Sequence, residues 1–516
     1  MPLNKDAPHL PAWILLSTVF ITGASILVIE LIGTRVLAPF FGSGIYTWSA
    51  LIAVTLAALA LGYSLGGRLA DRSPRPATLF YLCLVAGIWT IVTPWLATLV
   101  LPHLVAAAEI RVVVLLSSVL LFSPNLFVLG MACPFVIRLF SSDHEASGRT
   151  SGRVFAFSTL GSLLAALATG FFLVPNYGVL SILTFCGVAL VLLALFGFIY
   201  LKQFFAAICT LLLASLAALG MLSPPPAQHD SLELVDSSPS FYGHVQVVRR
   251  HGLKMLLVNG ILQNQAADDR QVELGYLTFL SSLPRIRGSQ GSEPDNSLVI
   301  GLGAGQLPTM LESNGVNVAA VEIDPVIEDM ARKHFDLDIN PERLHITDGR
   351  LFLEQTPERY DYIFMDAFNA DQVPWHLVSA EALKLAGTRL RSNGIVALNA
   401  VALPGSNEVN AINATLKSVF PHVRVFNPSP DSHLTNIVFL ASDSPIRLVP
   451  FKQALESEQS QIVLQHLAGE VSDLPGGLVL NDDYNPISHL HEAAQAQWRE
   501  DMRAFLGNDY YDWAFY

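Results

Sequence analysis

The chain has 516 residues, of which 52% are hydrophobic and only 14% are charged, and its formal net charge at pH 7 is −13. A soluble protein of this length rarely carries so few charges, so we expect a membrane region beside one or more soluble domains. The acidic balance argues against nucleic acid as a partner. All four cysteines lie in apolar segments without metal-ligand spacing, and neither a metal site nor a disulfide framework is predicted.

Apolar runs dominate residues 11–222. A membrane-spanning helix needs about 20 apolar residues, and such runs begin near Trp13, Ile45, Thr78, Val112, Phe155, Ile182 and Phe204. The first run is interpreted as a retained span because no small-residue cleavage site follows it. We therefore predict a multi-pass α-helical membrane domain of about seven helices, with the lipid bilayer as its partner.

Charged residues in this region predict orientation and function. Arginine-rich loops tend to face the cytoplasm, and two loops fit this rule together, with Arg68, Arg72, Arg75, Arg138, Arg149 and Arg153. Seven spans with a cytoplasmic start then leave the second half of the chain outside. Within the spans, Arg35 and Arg111 are expected to reach for the interface with their long side chains. Glu30 lies deeper and is a functional candidate.

The sequence changes character after a proline-rich linker, "SPPPAQHD", in residues 223–240. Residues 241–290 alternate apolar and polar side chains around His251-Gly252, which predicts a small β-hairpin domain. From 296 to 445, strand-like segments alternate with helical ones. This pattern predicts a doubly wound α/β sheet that binds ligands at the carboxyl ends of its strands. Residues 446–516 are predicted to form a polar helical extension.

A glycine turn follows the first strand of this predicted sheet. Gly301, Gly303 and Gly305 form GxGxG, and a backbone without side chains can approach a ligand at the start of a helix. Glu322 ends the next strand, where a carboxylate can accept both hydroxyl protons of a ribose. The turn and the acid together predict a nucleoside site.

Two more acids stand at the following strand ends. Asp348-Gly349 follows one strand and Asp366 the next, so three acids line one edge of the sheet. The third glycine of the dinucleotide pattern is missing, because Gln306 and Pro308 occupy the usual offsets. The arrangement therefore favours an S-adenosylmethionine-type sheet, in which Asp348 holds the adenine amino group.

These residues resemble a known family. The segments "VIGLGAGQ", "VEID", "ITDG" and "MDAFNADQVPWHLVSAEAL" are similar to the polyamine aminopropyltransferases (spermidine synthases), and "SPSFYGHVQV" and "LLVNGILQ" resemble the entry strands of that family. The stretch from "ELIGTRVLAPFF" to "GGRLADR" resembles the opening of a bacterial branch with an amino-terminal membrane region. The resemblance covers nearly the whole chain and implies a Rossmann-like catalytic domain at residues 296–445.

The resemblance implies transfer of an aminopropyl group from decarboxylated S-adenosylmethionine, a co-substrate and not a tightly bound cofactor, to putrescine. Spermidine and methylthioadenosine are the products. The amine is protonated at neutral pH, so a carboxylate must accept its proton. Asp366 and Asp371 match the acids of the family's catalytic loop, although the loop "DAFNADQVP" is longer here.

The resemblance also assigns binding roles. Gln263 matches a residue on the cofactor side of the hairpin domain, and Tyr242 one on the polyamine side. Asp482 and Asp483, in "NDDYNP", are further candidates for the cationic end of the polyamine, with a solvated turn as the alternative reading. A polyamine and the lipid bilayer are the expected partners, and a homodimer is one possible assembly.

Departures from the family pattern leave the donor open. Ala304 stands where the family has an acid inside the glycine turn, and Gly243 replaces the glutamine that usually follows the tyrosine. The lost carboxylate removes a contact to the donor amine that is worth about 1.5–3 kcal/mol. Two alternatives therefore stay open: a methyltransferase or cyclase that uses intact S-adenosylmethionine, and a polyamine transporter or sensor whose nucleoside domain is not catalytic.

The expected location is the inner membrane, with a catalytic domain on the cytoplasmic side where such a cofactor is made. The count of seven spans conflicts with that side. The sequence leaves this conflict unresolved.

Overall fold

The structure, a computed structural model, describes residues 10–105, 110–140, 147–221, 232–267, 275–287, 294–367, 373–429, 432–449, 458–507 and 515. The contacts between residues divide the chain into two compact units. The first comprises residues 1–228, Pro239–Gly243 and residues 508–516, and the second comprises His229–Ser238 and His244–Gly507. Within the described residues, the first unit is built mainly from helices and the second contains two sheets.

Apolar helices build the first unit. They are α1 (Ala12–Phe41), α2 (Ile45–Arg72), α3 (Pro76–Val105), α4 (Ile110–Gly130), α5 (Ala132–Phe140), α6 (Ser147–Ala168), α7 (Val174–Asn176), α8 (Val179–Tyr200) and α9 (Phe204–Met221), with a π-helical turn at Thr169–Leu173. Among the described residues, six stretches are long and apolar enough to cross a bilayer: Ala12–Phe41, Ile45–Arg72, Pro76–Val105, Arg111–Phe140, Gly148–Asn176 and Val179–Tyr200. The apolar part of α9 described in full, Phe204–Leu213, is shorter.

The helix ends that carry the arginine-rich loops meet at the amino end of α1. One apolar cluster joins Leu15 of α1 to Ala70 near the end of α2, Leu79 at the start of α3 and Val154 near the start of α6. Arg138, in α5, pairs with Asp71 across 3.5 Å. A second cluster joins the same end of α1 to the last turns of α8 and the first turn of α9, through Ile14, Phe198 and Ala207.

The other end of α1 contacts segments that lie far along the sequence. Arg35 donates hydrogen bonds to the carbonyl oxygens of Ser240 and Phe241. The rings of Phe40 and Phe515 lie 6.3 Å apart, and Phe515 is buried. The carboxyl half of α1 is therefore an attachment point within the first unit. Arg111, by contrast, lies over the ring of Tyr46 at 5.1 Å.

A four-stranded antiparallel sheet opens the second unit. Its strands follow chain order: β1 (Glu233–Pro239), β2 (His244–Arg250), β3 (Leu253–Val258) and β4 (Ile261–Ala267). The predicted turn at His251-Gly252 joins β2 to β3, and both residues have positive φ, as a two-residue hairpin turn requires. The segment predicted as a linker, 223–240, contains β1. The sequence of β1, "ELVDSSP", is polar in its second half, so the alternation that predicts a strand is weak and the sequence pattern missed it.

An eight-stranded sheet forms the centre of the second unit. Its strands are β5 (Asn296–Ile300), β6 (Asn317–Glu322), β7 (Leu344–Ile346), β8 (Tyr360–Met365), β9 (Leu390–Ala402), β10 (His422–Phe426), β11 (Thr435–Ser442) and β12 (Glu470–Val471). The spatial order is β12-β10-β11-β9-β8-β5-β6-β7. Strands β7, β6, β5, β8 and β9 run parallel, while β11, β10 and β12 pair antiparallel. The predicted doubly wound sheet is confirmed.

Helices cover both faces of this sheet, as a parallel sheet requires. They are α10 (Gly275–Arg287), α11 (Gln306–Ser313), α12 (Pro325–His334), α13 (Gly349–Gln355), α14 (Ala380–Thr388), α15 (Asn407–Val419), α16 (Glu458–Ala468) and α17 (Ile487–Leu490), with 3₁₀ turns at Pro341–Arg343 and Trp375–Leu377. Helix α18 (Glu492–Leu506) contacts β4 of the small sheet. Adjacent residues of β5 enter opposite cores: Leu298 and Ile300 face one cluster, Val299 the other.

Two predicted boundaries differ from the structure. Helix α10 lies within the range predicted for the small β domain, yet Phe279 and Leu283 pack in the same core as Val299 of the large sheet. Strand β12 lies within the predicted helical extension and adds to the edge of the large sheet by pairing with β10. In both places, packing or pairing with an element distant in the chain determined the structure. The local sequence pattern does not contain that information.

Candidate active site at the carboxyl edge of the large sheet

The strand order reverses between β5 and β8, because the chain runs from β5 outward to β6 and β7 before it returns to the other side. Ligands of doubly wound sheets bind at such a reversal, beyond the carboxyl ends of the strands. Here Gly301 donates its N–H to the carbonyl of Val321 (2.9 Å), and Asp366 donates its N–H to the carbonyl of Ile300 (2.9 Å). These bonds bring the glycine turn and Asp366 to one point of the edge.

Gly301 has no room for a side chain. Its φ is +95°, and a Cβ atom there would lie 2.4 Å from the carbonyl oxygen of Asp366. Both the backbone conformation and the close approach of the next strand therefore require glycine. The glycine predicted to admit a ligand also lets two strand ends come together.

Glu322, at the end of β6, holds the glycine turn in place. Its Oε2 accepts the N–H of Leu302 (2.9 Å), and its Oε1 accepts the N–H groups of Ile323 (2.8 Å) and Asp324 (2.9 Å). The side chain is buried, which raises the pKa of Glu322, and the three N–H donors oppose that rise. A carboxylate has about four acceptor positions, so one on Oε2 stays available for a ligand hydroxyl, where the sequence predicted that Glu322 accepts both ribose hydroxyl protons.

Asp366 is held by two partners from other parts of the second unit. Asn399, on β9, donates its amide N–H to Oδ1 (2.9 Å), and the hydroxyl of Tyr276, on α10, donates to Oδ2 (3.5 Å). Burial raises the pKa of Asp366 to about 7, while these two hydrogen bonds act in the opposite direction. A carboxyl group with this pKa exchanges a proton near neutral pH, which suits a general base.

Asp348 caps a helix and binds a histidine. Its Oδ1 accepts the N–H of Leu351 (2.9 Å) at the start of α13, and its Oδ2 lies 2.8 Å from Nε2 of His376. The neighbouring Gly349 allows close packing, since a Cβ there would lie 2.4 Å from the side chain of Ile300. Each oxygen keeps one acceptor position for a ligand.

Comparisons with known proteins identify the family of the chain. No model of a known protein family matches the chain. A polyamine aminopropyltransferase of Vibrio vulnificus is 30% identical over 206 residues, which cover 38% of this chain and 67% of that protein. The chain belongs to the polyamine aminopropyltransferase family. A polyamine aminopropyltransferase of Corynebacterium efficiens is 27% identical over 419 residues, covering 74% of this chain and 76% of that protein.

A methyltransferase is a relative as well. An N-terminal histidine N-methyltransferase of Emericella nidulans is 31% identical over 172 residues, and the match spans 32% of this chain and only 31% of that protein. All three relatives are transferases, which confirms the prediction of a transferase. A crystal structure of a probable spermidine synthase from Corynebacterium glutamicum aligns with 51% of this chain and 93% of its own, at 19% identity and a TM-score of 0.38.

The small sheet of the protein approaches the glycine turn through β4. Gln263 forms a bulge in that strand, and its amide donates to the carbonyl of Ile261 (3.1 Å). The next residue, Asn264, is buried, and its amide nitrogen would lie 3.5 Å from a Cβ atom at Gly303. A bulge turns neighbouring side chains to new directions, so Asn264 is the residue whose side chain lies against the turn.

Ala304 lies in an apolar cluster. It is buried with Val245, Val247 and Leu256 of the small sheet and Met330 of α12. The position that carries an acid in the family pattern is thus a packing position here. A charge at this place would be costly without a partner.

The remaining predicted residues have different outcomes. Asp482 binds both terminal nitrogens of Arg350 (2.8 and 2.6 Å), and Asp483 is exposed. The hydrogen bonds from Arg350 outweigh burial and hold the pKa of Asp482 at about 2. Tyr242 belongs to the first unit, within Pro239–Gly243. Asp371 lies outside the described residues.

Sequence reasoning missed four residues around this edge: Asn399, Tyr276, His376 and Arg350. Each reaches a predicted acid from an element distant in the chain. The segments "GIVALNA", "QVELGYLTFL" and "PWHLVS" contain three of them, but spacing alone does not connect them to Asp366 or Asp348. For Asn399 and Tyr276 the signal is a polar group in an otherwise apolar stretch of a strand or helix. His376, in a 3₁₀ turn, and Arg350, on α13, give no such signal.

Replacing Gly301 with alanine tests the close approach at the strand ends. Gly301→Ala is expected to lower the free energy of unfolding by more than about 3 kcal/mol, because the new methyl group meets the Asp366 carbonyl as well as a strained φ. Thermal unfolding of the purified chain measures this.

Gly315→Ala is the matched control. Gly315 has a φ of +80°, but a Cβ atom there meets nothing within 4 Å. We expect a loss of about 1 kcal/mol from backbone strain alone. Equal losses in the two variants would contradict the role assigned to Gly301.

Proposed function

We propose that the protein is a membrane-anchored transferase that moves an aminopropyl group from decarboxylated S-adenosylmethionine to putrescine. Asp366 is the observation that carries this proposal. Its carboxyl group lies at the reversal of the strand order, beside the glycine turn, and its pKa is about 7. Family membership supports the reaction class, since the relative from Vibrio vulnificus is a polyamine aminopropyltransferase.

The proposed reaction is a displacement at carbon. The neutral amine nitrogen attacks the propyl carbon next to the sulfonium, a C–N bond forms, and the C–S bond breaks. The electron pair of that bond goes to sulfur, which leaves as the neutral thioether of methylthioadenosine. Before the attack, the Asp366 carboxylate accepts a proton from the substrate ammonium and so forms the neutral amine; it is a stronger base than an ordinary aspartate because its pKa is raised. Asp371 is the proposed second acid of the pair.

The nucleoside is proposed to lie against the glycine turn. The free acceptor position of Glu322 suits a ribose hydroxyl, because the other three are taken by backbone N–H groups. Asp348 is the proposed partner of the adenine amino group, and its fixed orientation between α13 and His376 supports that role. Gln263 remains a proposed residue of the cofactor side.

Tyr242 remains a proposed polyamine residue on the family resemblance alone. The acids of "NDDYNP" are proposed for the cationic end of the polyamine. Arg350 neutralises Asp482, which weakens its attraction for an ammonium group. The exposed Asp483 is the better candidate of the two for the distal end of the amine.

Methyl transfer from intact S-adenosylmethionine is the second candidate. Ala304 favours it, because its methyl group packs in an apolar cluster and offers no carboxylate to the amine of a decarboxylated donor. The fungal relative is an N-methyltransferase. The identity of the donor, decarboxylated or intact S-adenosylmethionine, therefore distinguishes the two reactions.

The arrangement of the helices supports seven crossings, with the carboxyl half of α1 away from the cytoplasm. The arginine-rich loops meet at the amino end of α1, which the charge rule assigns to the cytoplasm. Helix α9 begins at that same end, near Ile14, and its 18 residues extend about 27 Å, close to the thickness of a bilayer core. Pro239–Gly243 and Phe515 contact the other end of α1.

Pro239–Gly243 and Phe515 are therefore expected on the non-cytoplasmic face of the membrane. The same face is expected for the chain between them. This placement opposes the expectation of a cytoplasmic catalytic domain. Within the described residues, no helix after α9 qualifies as a span, so the chain from 244 to 507 begins and ends on the same side.

Product analysis separates the two donors. Purified protein with putrescine and decarboxylated S-adenosylmethionine is expected to form spermidine and methylthioadenosine, detected by mass spectrometry. Asp366→Asn is expected to lower the rate by about 100-fold or more, because the amine proton loses its acceptor. Turnover of intact S-adenosylmethionine without spermidine would instead establish the second candidate.

The pH dependence tests the role of Asp366. Only the ionised carboxylate accepts a proton, so kcat is expected to rise tenfold per pH unit below about pH 7 and to level off above it. Tyr276→Phe removes a hydrogen bond that lowers the pKa of Asp366, so the rising limb is expected to move to higher pH. A limb that stays in place or moves to lower pH would argue against Asp366 as the base.

Cysteine labelling tests the sidedness. Arg75 and Glu358 are both exposed, and the four native cysteines are buried or half-buried in helices. With a maleimide that does not cross the inner membrane, Glu358→Cys is expected to react in cells with a permeable outer membrane. Arg75→Cys is expected to react only after the inner membrane is opened. The reverse pattern would return the second unit to the cytoplasm.

A further inference from the structure

Glu30 places a carboxyl group inside a membrane helix without a partner. It lies in α1 and is half-buried, and among the described residues no hydrogen bond or ion pair reaches its carboxyl group. Asp71, the other described acid of the first unit, pairs with Arg138. The nearby Arg35 donates to two backbone carbonyls of Pro239–Gly243. An unpaired acid within a span is a functional candidate, because charge is costly there.

Helix α6 runs alongside α1 in the same direction. Val154 of α6 shares an apolar cluster with Leu15, near the start of α1. Further along both helices, the hydroxyl of Ser162 donates to the carbonyl oxygen of Gly23 (2.8 Å). The two backbones are close at this level, since a Cβ atom on Gly23 would lie 2.4 Å from the carbonyl oxygen of Ser158. Small residues allow such close packing of membrane helices.

The same register brings Glu30 to a π-helical turn. Glu30 follows Gly23 by seven residues, and Thr169 follows Ser162 by seven, which is nearly two helical turns in each helix. Each of the two residues therefore lies on the side of its helix that faces the other helix. The π-helical turn Thr169–Leu173 also contacts α1. Glu30 and the start of this turn thus lie at the same level of the helix pair.

The hydroxyl of Thr169 is buried and has no hydrogen-bond partner among the described residues. Thr18, Thr22 and Thr90, in the same group of helices, each donate to a carbonyl oxygen one turn back. Thr169 is 0% exposed, yet its Oγ1 makes no such bond. Buried polar groups are normally paired, and π-helical turns are frequent at functional sites. The turn therefore presents an oxygen atom to a bound group.

The oxygen atoms of Glu30 and Thr169 suit an ammonium group. A carboxylate among apolar helices is stabilised by a bound cation. Calcium takes about six to eight oxygen ligands, more than one carboxylate and one hydroxyl supply. A primary ammonium carries three N–H donors, one for each oxygen of the carboxylate and one for the hydroxyl.

We propose that Glu30 and Thr169 form a binding site for a primary ammonium group within the membrane region. The helices of the first unit then bind an amine ligand of their own, in addition to anchoring the chain. This inference goes beyond the proposed transfer reaction and does not depend on it, because both residues belong to the first unit.

Protection from a carbodiimide tests the site. Dicyclohexylcarbodiimide reacts with protonated carboxyl groups in apolar surroundings, and it is expected to modify Glu30 in the full chain in lipid nanodiscs. Mass spectrometry of the peptide that contains Glu30 measures the fraction left unmodified. Butylamine and putrescine are expected to preserve that fraction. Tetramethylammonium, which has no N–H donor, the neutral 1,4-butanediol and sodium chloride are expected to have no effect.

Substitutions at the hydroxyl provide the matched comparison. Thr169→Val is expected to raise the amine concentration for half-protection about tenfold, because one hydrogen bond to a charged donor is lost. Thr169→Ser keeps the hydroxyl and is expected to keep the protection. Thr210→Val is the control, since this buried threonine of α9 donates to the carbonyl of Ala206 (2.8 Å), and it is expected to change nothing. Thermal unfolding of each variant identifies loss of folding.

Several results would overturn the inference. Amines that leave the modification of Glu30 unchanged would show that no ammonium binds there. Equal protection by tetramethylammonium, 1,4-butanediol or sodium chloride would assign the effect to something other than ammonium hydrogen bonds. Wild-type protection in Thr169→Val would remove the hydroxyl from the site.

A second measurement applies where Glu30 does not react in the wild-type chain. Binding of radiolabelled butylamine is then compared between the wild type and Glu30→Gln, in the same nanodiscs. Weaker binding by the variant is expected, and equal binding would overturn the inference. Neither readout involves spermidine, so a failure of the proposed function is recognised separately.

Discussion

Three backbone N–H groups share the carboxylate of Glu322, and the geometry of the large sheet's carboxyl edge depends on that arrangement. The N–H of Leu302 lies within the glycine turn, while those of Ile323 and Asp324 follow β6. One side chain thus links the glycine turn to the loop after β6, in addition to the backbone bond from Gly301 to Val321. Burial of the carboxylate is costly, and charge-assisted bonds to three donors offset that cost. The carboxylate of Glu322 therefore stabilises these two loops without a ligand.

The position of Asp366 is fixed by backbone contacts at the same edge of the sheet. Its N–H pairs with Ile300, and its carbonyl occupies the space that a side chain on Gly301 would need. The reacting group is therefore placed by backbone contacts at the strand ends, and its protonation is tuned by Asn399 and Tyr276. Placement and tuning come from different parts of the chain.

That division explains how much the sequence could predict. Gly301, Glu322 and Asp366 were predictable, because parallel strands bring their carboxyl ends to one edge and each residue directly follows an apolar segment. Asn399 and Tyr276 were not, since their partnership depends on the tertiary packing of β9 and α10. The same reason applies to Asp482, whose partner Arg350 lies 132 residues away. The edge strands also lack a periodic pattern, β12 because it has only two residues and β1 because its second half is polar.

Ala304 ties the glycine turn to the packing of another sheet. Its methyl group lies in one buried apolar cluster with Val245 and Val247 of the small sheet and Met330 of α12. An aspartate placed at this position would enter that cluster, where a charge without a partner is costly. A carboxylate therefore cannot be added to the turn by one substitution without loss of stability, because the neighbours of Ala304 would have to change as well.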